Sequence, residues 1–220
     1  ASHAYDATGN RSAFHLTGGA SPVDLTINTD TASNRIQSVL DVNNSNATIR
    51  SFSFRAGGDV SQEVRGADTY LYGYNAAKRL STVQKNGTLQ GSYAYDALGR
   101  RVWRQVTTPS TVTTDYIFDQ RGHLLAEADG SSGSVIKEYV WIDDLPIGVI
   151  DSSSGTAQTY YIHTGAVGEP LVLTDATQAK VWDAFVEPYG IARTFATPSA
   201  SIDLRLPGQW EQVETGGLFQ

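Results

Sequence analysis

Few residues in this chain combine the types and the spacing that chemistry requires. The histidines lie too far apart in the sequence to suggest a pair of metal ligands. Adjacent strand residues point to opposite faces, so Asp143 and Asp144 are not expected to share a proton. The sequence has no cysteine, no G-x-S-x-G nucleophile turn and no GxxxxGK phosphate loop. The four histidines are His3, His15, His123 and His163. We therefore expect no catalytic residue, no metal site and no cofactor.

The composition favours a turn-rich β protein of one large or two small globular units. Charged residues make up 18% of the 220 residues, whereas glycine (21) and tyrosine (11) are plentiful. The net charge is +3 over residues 1–110 and −10 over residues 111–220, and this overall acidity argues against a nucleic-acid partner. No apolar run approaches the roughly 18 residues of a membrane-spanning helix. The chain starts with Ala-Ser-His and has no methionine, so we expect a part of a longer polypeptide whose targeting signal lies elsewhere.

A repeat of 20 to 25 residues organises most of the chain. Its clearest copy, residues 93–101, reads YAYDALGRR: two aromatic residues two apart, then an aspartate, a glycine three residues later, and an arginine. The aspartate or its substitute stands at positions 6, 30, 55, 75, 96, 119 and 143. The residues that we assign to the motif are Tyr5, Asp6, Gly9, Tyr74, Asn75, Tyr95, Asp96, Gly99, Arg100, Phe118, Asp119 and Gly122.

Each copy of the motif predicts a β-hairpin. The aromatic pair places two rings on one face of a strand, and the aspartate suits the first position of a tight turn, where its carboxylate accepts a backbone N–H two residues on. The glycine supplies the positive φ that closes the turn, and Lys78 is a poor substitute for it. Polar turns such as Asn86-Gly87 alternate with these motifs. We predict an all-β fold: an antiparallel hairpin meander with strands of six to eight residues and cross-strand aromatic ladders.

These motifs resemble the YD repeats of the Rhs family, whose relatives include the C components of Tc toxins, bacterial wall-associated proteins and teneurins. Residues 160–175 resemble the family segment YxHxDxLGxPxxLTD, residues 186–190 its DPFG-type stretch, and residues 206–216 its FPGQYxDxETG segment. Gly165-Ala166-Val167 departs from the Asp-His-Leu that is usual there. The matching residues of this C-terminal motif are His163, Gly168, Pro170, Pro188, Gly190, Pro207, Gly208 and Gln209. The resemblance divides the chain into a hairpin array, residues 1–158, and the start of the Rhs-associated core segment, residues 159–220.

The resemblance implies a structural role. In the family, YD hairpins form a curled or spiral β-shell that encloses a toxin segment. The expected partners are therefore the rest of the parent Rhs polypeptide and its toxin, and the expected location is secreted or on a bacterial cell surface. The family's aspartyl self-cleavage region would follow residue 220, so we expect this chain not to be an enzyme. His163 is expected to make a hydrogen bond in the C-terminal segment.

Two other functions stay open from the sequence. Tyrosine-rich sheet faces also suit a cell-surface module that binds carbohydrate or protein, and an enzyme that uses His163 with nearby carboxylates is a weaker third reading. The cut edges of such a sheet would also invite self-association.

Overall fold

In the computed structural model, residues 2–17, 22–186, 191–215 and 217–219 are described. The chain divides into two compact units, residues 1–89 and residues 90–220. Almost all regular structure is β-strand, with 3₁₀ turns at Val42–Asn44 and Val213–Thr215. The predicted all-β fold is confirmed.

Unit 1 contains eight strands, and each pairs antiparallel with the next along the chain. This is the predicted meander. Strands β2–β8 have six to eight residues, as the spacing of the turns predicts. The strands are β1 (Ser2–Tyr5), β2 (Arg11–Leu16), β3 (Val23–Thr29), β4 (Ile36–Asp41), β5 (Ala47–Phe54), β6 (Val60–Arg65), β7 (Asp68–Tyr74) and β8 (Leu80–Lys85).

Unit 2 continues the same pattern. Strand β9 (Thr88–Tyr95) begins at the boundary, and β9–β18 again pair each with the next, while β19 and β20 form a separate short ribbon. The remaining strands are β10 (Arg101–Val106), β11 (Val112–Phe118), β12 (Leu124–Asp129), β13 (Val135–Ile142), β14 (Leu145–Asp151), β15 (Gln158–Thr164), β16 (Pro170–Thr174), β17 (Lys180–Val186), β18 (Ala192–Thr194), β19 (Trp210–Gln212) and β20 (Gly217–Phe219).

The YD turns close by a shared hydrogen-bond pattern. At Asp96, the backbone N–H of Gly99 donates to the aspartate carbonyl at 3.0 Å, and the N–H of Arg100 donates to Asp96 Oδ1 at 2.8 Å. Gly99 has φ +87°, the left-handed value that glycine adopts without strain. Lys78 takes the same left-handed region, with φ +59°, so that turn keeps its geometry despite the substitution. A turn of the same kind, not identified from the sequence, begins at Asp175.

The buried face of unit 2 is covered by the segment that follows β18. Ile202 and Leu204 of this segment are almost fully buried against a cluster that includes Leu124, Leu173 and Trp182. Backbone hydrogen bonds from Ser199 and Ala200 to the carbonyl of Val181 fix the start of the segment on β17. One face of this part of the sheet therefore has a packed core, which a single sheet layer could not provide alone.

The tyrosines of the buried face pack against arginines. Arg65 lies over the ring of Tyr70 at 4.5 Å, and Arg101 lies over Tyr93 and Tyr116 at 5.5 and 5.2 Å. The sequence predicted cross-strand ladders of aromatic rings. In the structure, arginines of neighbouring strands also lie over these rings and supply cation–π contacts.

Candidate functional site: buried charges in the repeat

The most unusual feature of the buried face is a charged residue at a repeated core position. In five of the seven copies, the position eight residues after the motif aspartate or its substitute is the fourth residue of the return strand. In strand β8 it holds Val83, which is fully buried. In β6, β10 and β12 the same position holds Glu63, Arg104 and Glu127. Charges in place of a core valine need partners, because burying an unpaired charge is costly.

In unit 1, Glu63 is held by two arginines and a tyrosine. Its carboxylate accepts hydrogen bonds from Arg50 Nε at 2.6 Å, Arg65 Nη2 at 2.7 Å and the Tyr72 hydroxyl at 3.0 Å. The Glu63 side chain is 3% exposed, whereas that of Arg50 is 44% exposed. The carboxylate is thus buried and fully paired, and one of its partners reaches solvent.

The pairing decides the ionisation of this cluster. Burial, the largest influence, would raise the pKa of Glu63, but the hydrogen bonds and charges of Arg65 and Arg50 outweigh it, and the pKa lies below its ordinary value. Burial and the adjacent Glu63 carboxylate raise the pKa of Tyr72 well above the usual value for a phenol. Glu63 is therefore a carboxylate and Tyr72 a neutral donor at neutral pH.

In unit 2, a glutamate from the end of the chain completes a similar cluster. Arg104 Nε and Nη2 donate to the two oxygens of Glu214 at 2.9 and 2.6 Å, and the Tyr93 hydroxyl donates to Glu214 Oε1 at 2.8 Å. The Glu214 side chain is 1% exposed. Here the repeat supplies the arginine, and the carboxylate comes from 110 residues further along the chain. This bidentate ion pair fixes the C-terminal segment on the sheet.

Glu127 stands at the same repeat position but lacks an arginine partner. The Tyr139 hydroxyl donates to Glu127 Oε1 at 2.6 Å. Burial raises the pKa of Glu127, the negative charge of Asp203 raises it further, and the Tyr139 hydrogen bond with the charges of Lys137 and Arg104 offsets only part of the rise. Two glutamates at equivalent positions therefore have opposite pKa shifts, because only Glu63 is bonded to guanidinium groups.

Side chains also bridge successive YD turns along one edge of the strands. Arg100 Nη1 donates to the carbonyl of Asp119 at 2.8 Å. His123 lies within 2.9 Å of both Asp119 and Asp144 through its two ring nitrogens, and its ring stacks on Trp141 at 4.7 Å. Each bridge joins one turn to the next. Arg100 and His123, each four residues after a motif aspartate, thus connect successive turns and directly precede the return strands β10 and β12.

The aromatic residues predicted from the YD motif end the strands that precede the turns, and its Asp, Asn and Gly residues lie in the turns. Phe118 packs on the core, whereas Tyr5 is exposed. The Tyr74 hydroxyl donates to the carbonyl of Val60 at 2.8 Å. Asp6 accepts hydrogen bonds from both Asn10 and Thr8, and these bonds lower its pKa to about 2. The structure thus gives several of these residues contacts in and around the turns, and their assignment as the structural motif of the family stays a prediction.

The C-terminal motif residues are spread over strands and turns of unit 2. His163 is exposed, and its Nε2 lies 3.0 Å from Thr174 Oγ1. Gly168 has φ +87° in the turn before the buried Pro170. Pro207, Gly208 and Gln209 form a turn in which Gln209 N donates to the Leu206 carbonyl at 2.8 Å. Pro188 and Gly190 lie outside the described residues.

The clusters around Glu63, Glu127 and Glu214 were missed by the sequence analysis. The signal for the first two was available: a glutamate eight residues after the motif aspartate or its substitute, where two other copies carry Phe14 and Val83. Glu214 belongs to residues 206–216, which the sequence analysis matched to a family segment, but nothing in the sequence indicated that its side chain is buried against Arg104. Among the described residues, no group of three or more His, Asp or Glu side chains is arranged to hold a metal ion, and no helix is long and apolar enough to span a membrane.

The sequential antiparallel hairpins, the aspartate-glycine turns and the aromatic face define a YD-repeat protein. The family model of the teneurin YD-shell matches residues 1–207, and the chain belongs to this family. The chain is also 27% identical, over 201 residues, to double-stranded DNA deaminase toxin A of Burkholderia cenocepacia strain H111. That alignment covers 75% of this chain and 14% of the toxin.

Similar solved structures come from Tc toxins. The crystal structure of TcdB2-TccC3-TEV has a TM-score of 0.49 and 12% identity, and the match covers 94% of this chain and 12% of that one. The Photorhabdus luminescens Tc holotoxin pore has a TM-score of 0.41 and 11% identity, with 97% and 17% covered. The chain therefore spans less than a fifth of the length of each of these relatives.

Proposed function

We propose that this chain is a section of shell wall that encloses the C-terminal toxin segment of a longer, secreted bacterial polypeptide. The observation that carries the proposal is the match to the YD-shell family over residues 1–207. The partial relationship to a toxin from Burkholderia cenocepacia supports a toxin as the enclosed segment. The partners are then the rest of the parent polypeptide and that toxin.

The proposed mechanism is steric. Neighbouring strands are joined by continuous antiparallel hydrogen bonding within each unit, which leaves few unpaired backbone groups for a protease or a partner strand to engage. The Glu63 ion pair and the bridges between turns add side-chain bonds between strands that already share backbone hydrogen bonds, and Glu214 joins the C-terminal segment to β10. A wall of this kind isolates its contents without catalysing a reaction.

The wall needs no turnover, and we propose that the chain is not an enzyme. The buried carboxylates Glu63 and Glu214 accept hydrogen bonds from arginine and tyrosine, so they are poorly placed to exchange protons with a substrate. His163 is bonded to Thr174, and no carboxylate lies within hydrogen-bonding distance of its ring among the described residues. These contacts favour structural roles over the enzyme hypothesis.

The test is limited proteolysis of the complete natural polypeptide that contains this chain. The segment that follows residue 220 is also expressed alone as the matched control. We expect this segment to be cleaved slowly within the parent and quickly alone, and to become equally sensitive in the parent once urea unfolds the shell. Equal cleavage rates in native buffer, or a natural polypeptide that ends at residue 220, would contradict the proposal.

The rival function, a cell-surface module that binds carbohydrate through the YD tyrosines, is less well supported. Tyr93 is 6% exposed and its hydroxyl is bonded to Glu214, so its ring is not available to stack on a sugar. Removal of Tyr93 would disturb the core and would not test binding. A carbohydrate site on this chain therefore does not include the Tyr93 ring.

A further inference from the structure

A polar cleft lies in unit 2 between the β14–β15 hairpin and the segment that follows β18. Its volume is about 390 Å³, within the range of small-ligand sites. Asp151, Gln158 and Tyr160 line it from the hairpin, and Ser199 and Ser201 line it from the segment. The cleft is separate from the buried clusters of Glu63 and Glu214.

The hairpin side of the cleft is set by strand register. Asp151 of β14 stands directly opposite Gln158 of β15, and Tyr160 follows two residues later on the same face. Tyr160 packs on the core, which fixes its ring. The Asp151 carboxylate is 14% exposed and accepts a hydrogen bond from the backbone N–H of Ser153 at 2.9 Å. A carboxylate, an amide and an aromatic ring are thus presented side by side on a rigid hairpin.

The opposite side of the cleft is anchored and supplies hydroxyl groups. Ser199 N donates to the Val181 carbonyl at 2.9 Å, and Lys137 Nζ donates to the carbonyl and the hydroxyl of Ser201 at 3.2 and 3.3 Å. Since Lys137 is buried and bonded to Ser201, its charge is held beneath this wall. The cleft is therefore preformed.

The hydrogen-bonding capacity of the cleft is largely unused. Neither the Gln158 amide nor the Tyr160 hydroxyl makes a hydrogen bond to another described residue, and Gln158 is exposed. The Asp151 carboxylate accepts one hydrogen bond, from Ser153 N, and Lys137 Nζ lies 3.9 Å away. The carboxylate can therefore accept further hydrogen bonds. The cleft thus presents an amide, a phenol hydroxyl and part of a carboxylate whose hydrogen-bonding capacity the fold does not use.

We propose that this cleft binds a neutral saccharide unit. A pyranose has hydroxyl groups that both donate and accept, which match the carboxylate, amide and serine hydroxyls, and an apolar C–H face that suits contact with the Tyr160 ring. The Asp151 carboxylate disfavours an anionic ligand, and the polar lining disfavours an apolar peptide. The inference is independent of the enclosure of a toxin.

The experiment is an NMR titration of the 15N-labelled 220-residue chain with neutral methyl glycosides. The probes are methyl α-mannopyranoside, methyl β-galactopyranoside and methyl β-glucopyranoside, with methyl β-glucuronide as the anionic comparison. We expect at least one neutral probe to give saturable shifts in the amides of residues 151–160 and 198–201, with a dissociation constant on the order of millimolar. The glucuronide should bind more weakly than its neutral counterpart.

Three variants test whether the named groups carry the binding. Gln158→Ala, Tyr160→Phe and Asp151→Asn should each weaken binding by about fivefold or more, the usual effect of losing one hydrogen bond. Asn can still accept the Ser153 N–H, so Asp151→Asn should keep the turn. Thr159→Ala is the matched control, because Thr159 is exposed and points to the other face of β15, and it should leave binding unchanged.

Three outcomes would overturn the inference. The first is the absence of saturable shifts with every neutral probe. The second is a set of shifts that lies outside the cleft. The third is binding that survives both Gln158→Ala and Asp151→Asn in chains whose spectra show the native fold.

Discussion

Glu63 and Glu127 occupy the same position of the repeat, and we predict that neutralising them has opposite effects. Glu63→Gln places a neutral amide against Arg50 and Arg65, which then face each other without a counter-charge. Removal of one partner from a buried ion pair costs about 3–5 kcal/mol. Arg50 is 44% exposed and can turn towards water, so we expect a smaller cost, about 2–3 kcal/mol at pH 7.

Glu127→Gln removes a group whose ionised form is unfavourable in the folded state. Gln can still accept the Tyr139 hydrogen bond, and it resembles the protonated glutamate in shape. We therefore expect a change within about 1 kcal/mol at pH 5 and a stabilisation of about 1 kcal/mol at pH 8. If the two variants changed the free energy of unfolding in the same direction and by a similar amount, the distinction between a carboxylate paired with arginine and one without such a partner would be refuted.

The pH dependence follows from the direction of each shift. The pKa of Glu63 is lowered in the folded state, so its contribution is present above the ordinary value of 4.5 and is lost as the pH falls through the folded pKa. The pKa of Glu127 is raised, so its contribution is fully present below 4.5 and is lost as the pH rises through the folded pKa. Each Gln variant should remove the corresponding slope from the stability profile.

The assay is urea unfolding between pH 3 and pH 9, followed by two signals. The four tryptophans, at positions 103, 141, 182 and 210, all lie in unit 2, so their fluorescence reports on that unit, while far-UV circular dichroism follows both. A loss of 2–3 kcal/mol should shift the transition of unit 1 by roughly 1–2 M urea. Glu138→Gln, at an exposed glutamate, is the control and should stay within about 0.5 kcal/mol. An unchanged transition in Glu63→Gln would contradict the prediction.

Three further predictions concern the turns and their bridges. Lys78→Gly should stabilise unit 1 by about 0.5–1 kcal/mol in urea unfolding, because Lys78 has φ +59°; a loss of stability would contradict this account. Gly87→Ala should cost about 1 kcal/mol in the same assay, since Asn86 and Gly87 both have positive φ, 51° and 80°, as in a type I′ hairpin turn; an equally stable variant would argue against that turn. His123→Leu removes two hydrogen bonds and the stacking on Trp141, so it should lower the stability of unit 2 by about 1–3 kcal/mol and shift the tryptophan emission; unchanged emission would refute the bridge.

The sequence by itself determined the local structure. An aspartate that bonds its own turn and a glycine with positive φ act over four or five residues, so the hairpin at residues 93–101 could be predicted without knowledge of its neighbours. The recurrence of that unit every 20 to 25 residues then predicted the order of pairing, because consecutive hairpins pair each strand with the next. The family followed from the same motifs.

Only the tertiary structure decided which polar groups are buried and which remain available. Glu214 bonds to Tyr93 and Arg104, which lie more than 100 residues earlier in the sequence. The C-terminal segment that carries Glu214 has no repeat in its sequence from which its path could be predicted. The same path forms the wall of the cleft beside Asp151. Contacts between distant segments depend on how a whole face is covered, whereas a turn depends only on its own residues.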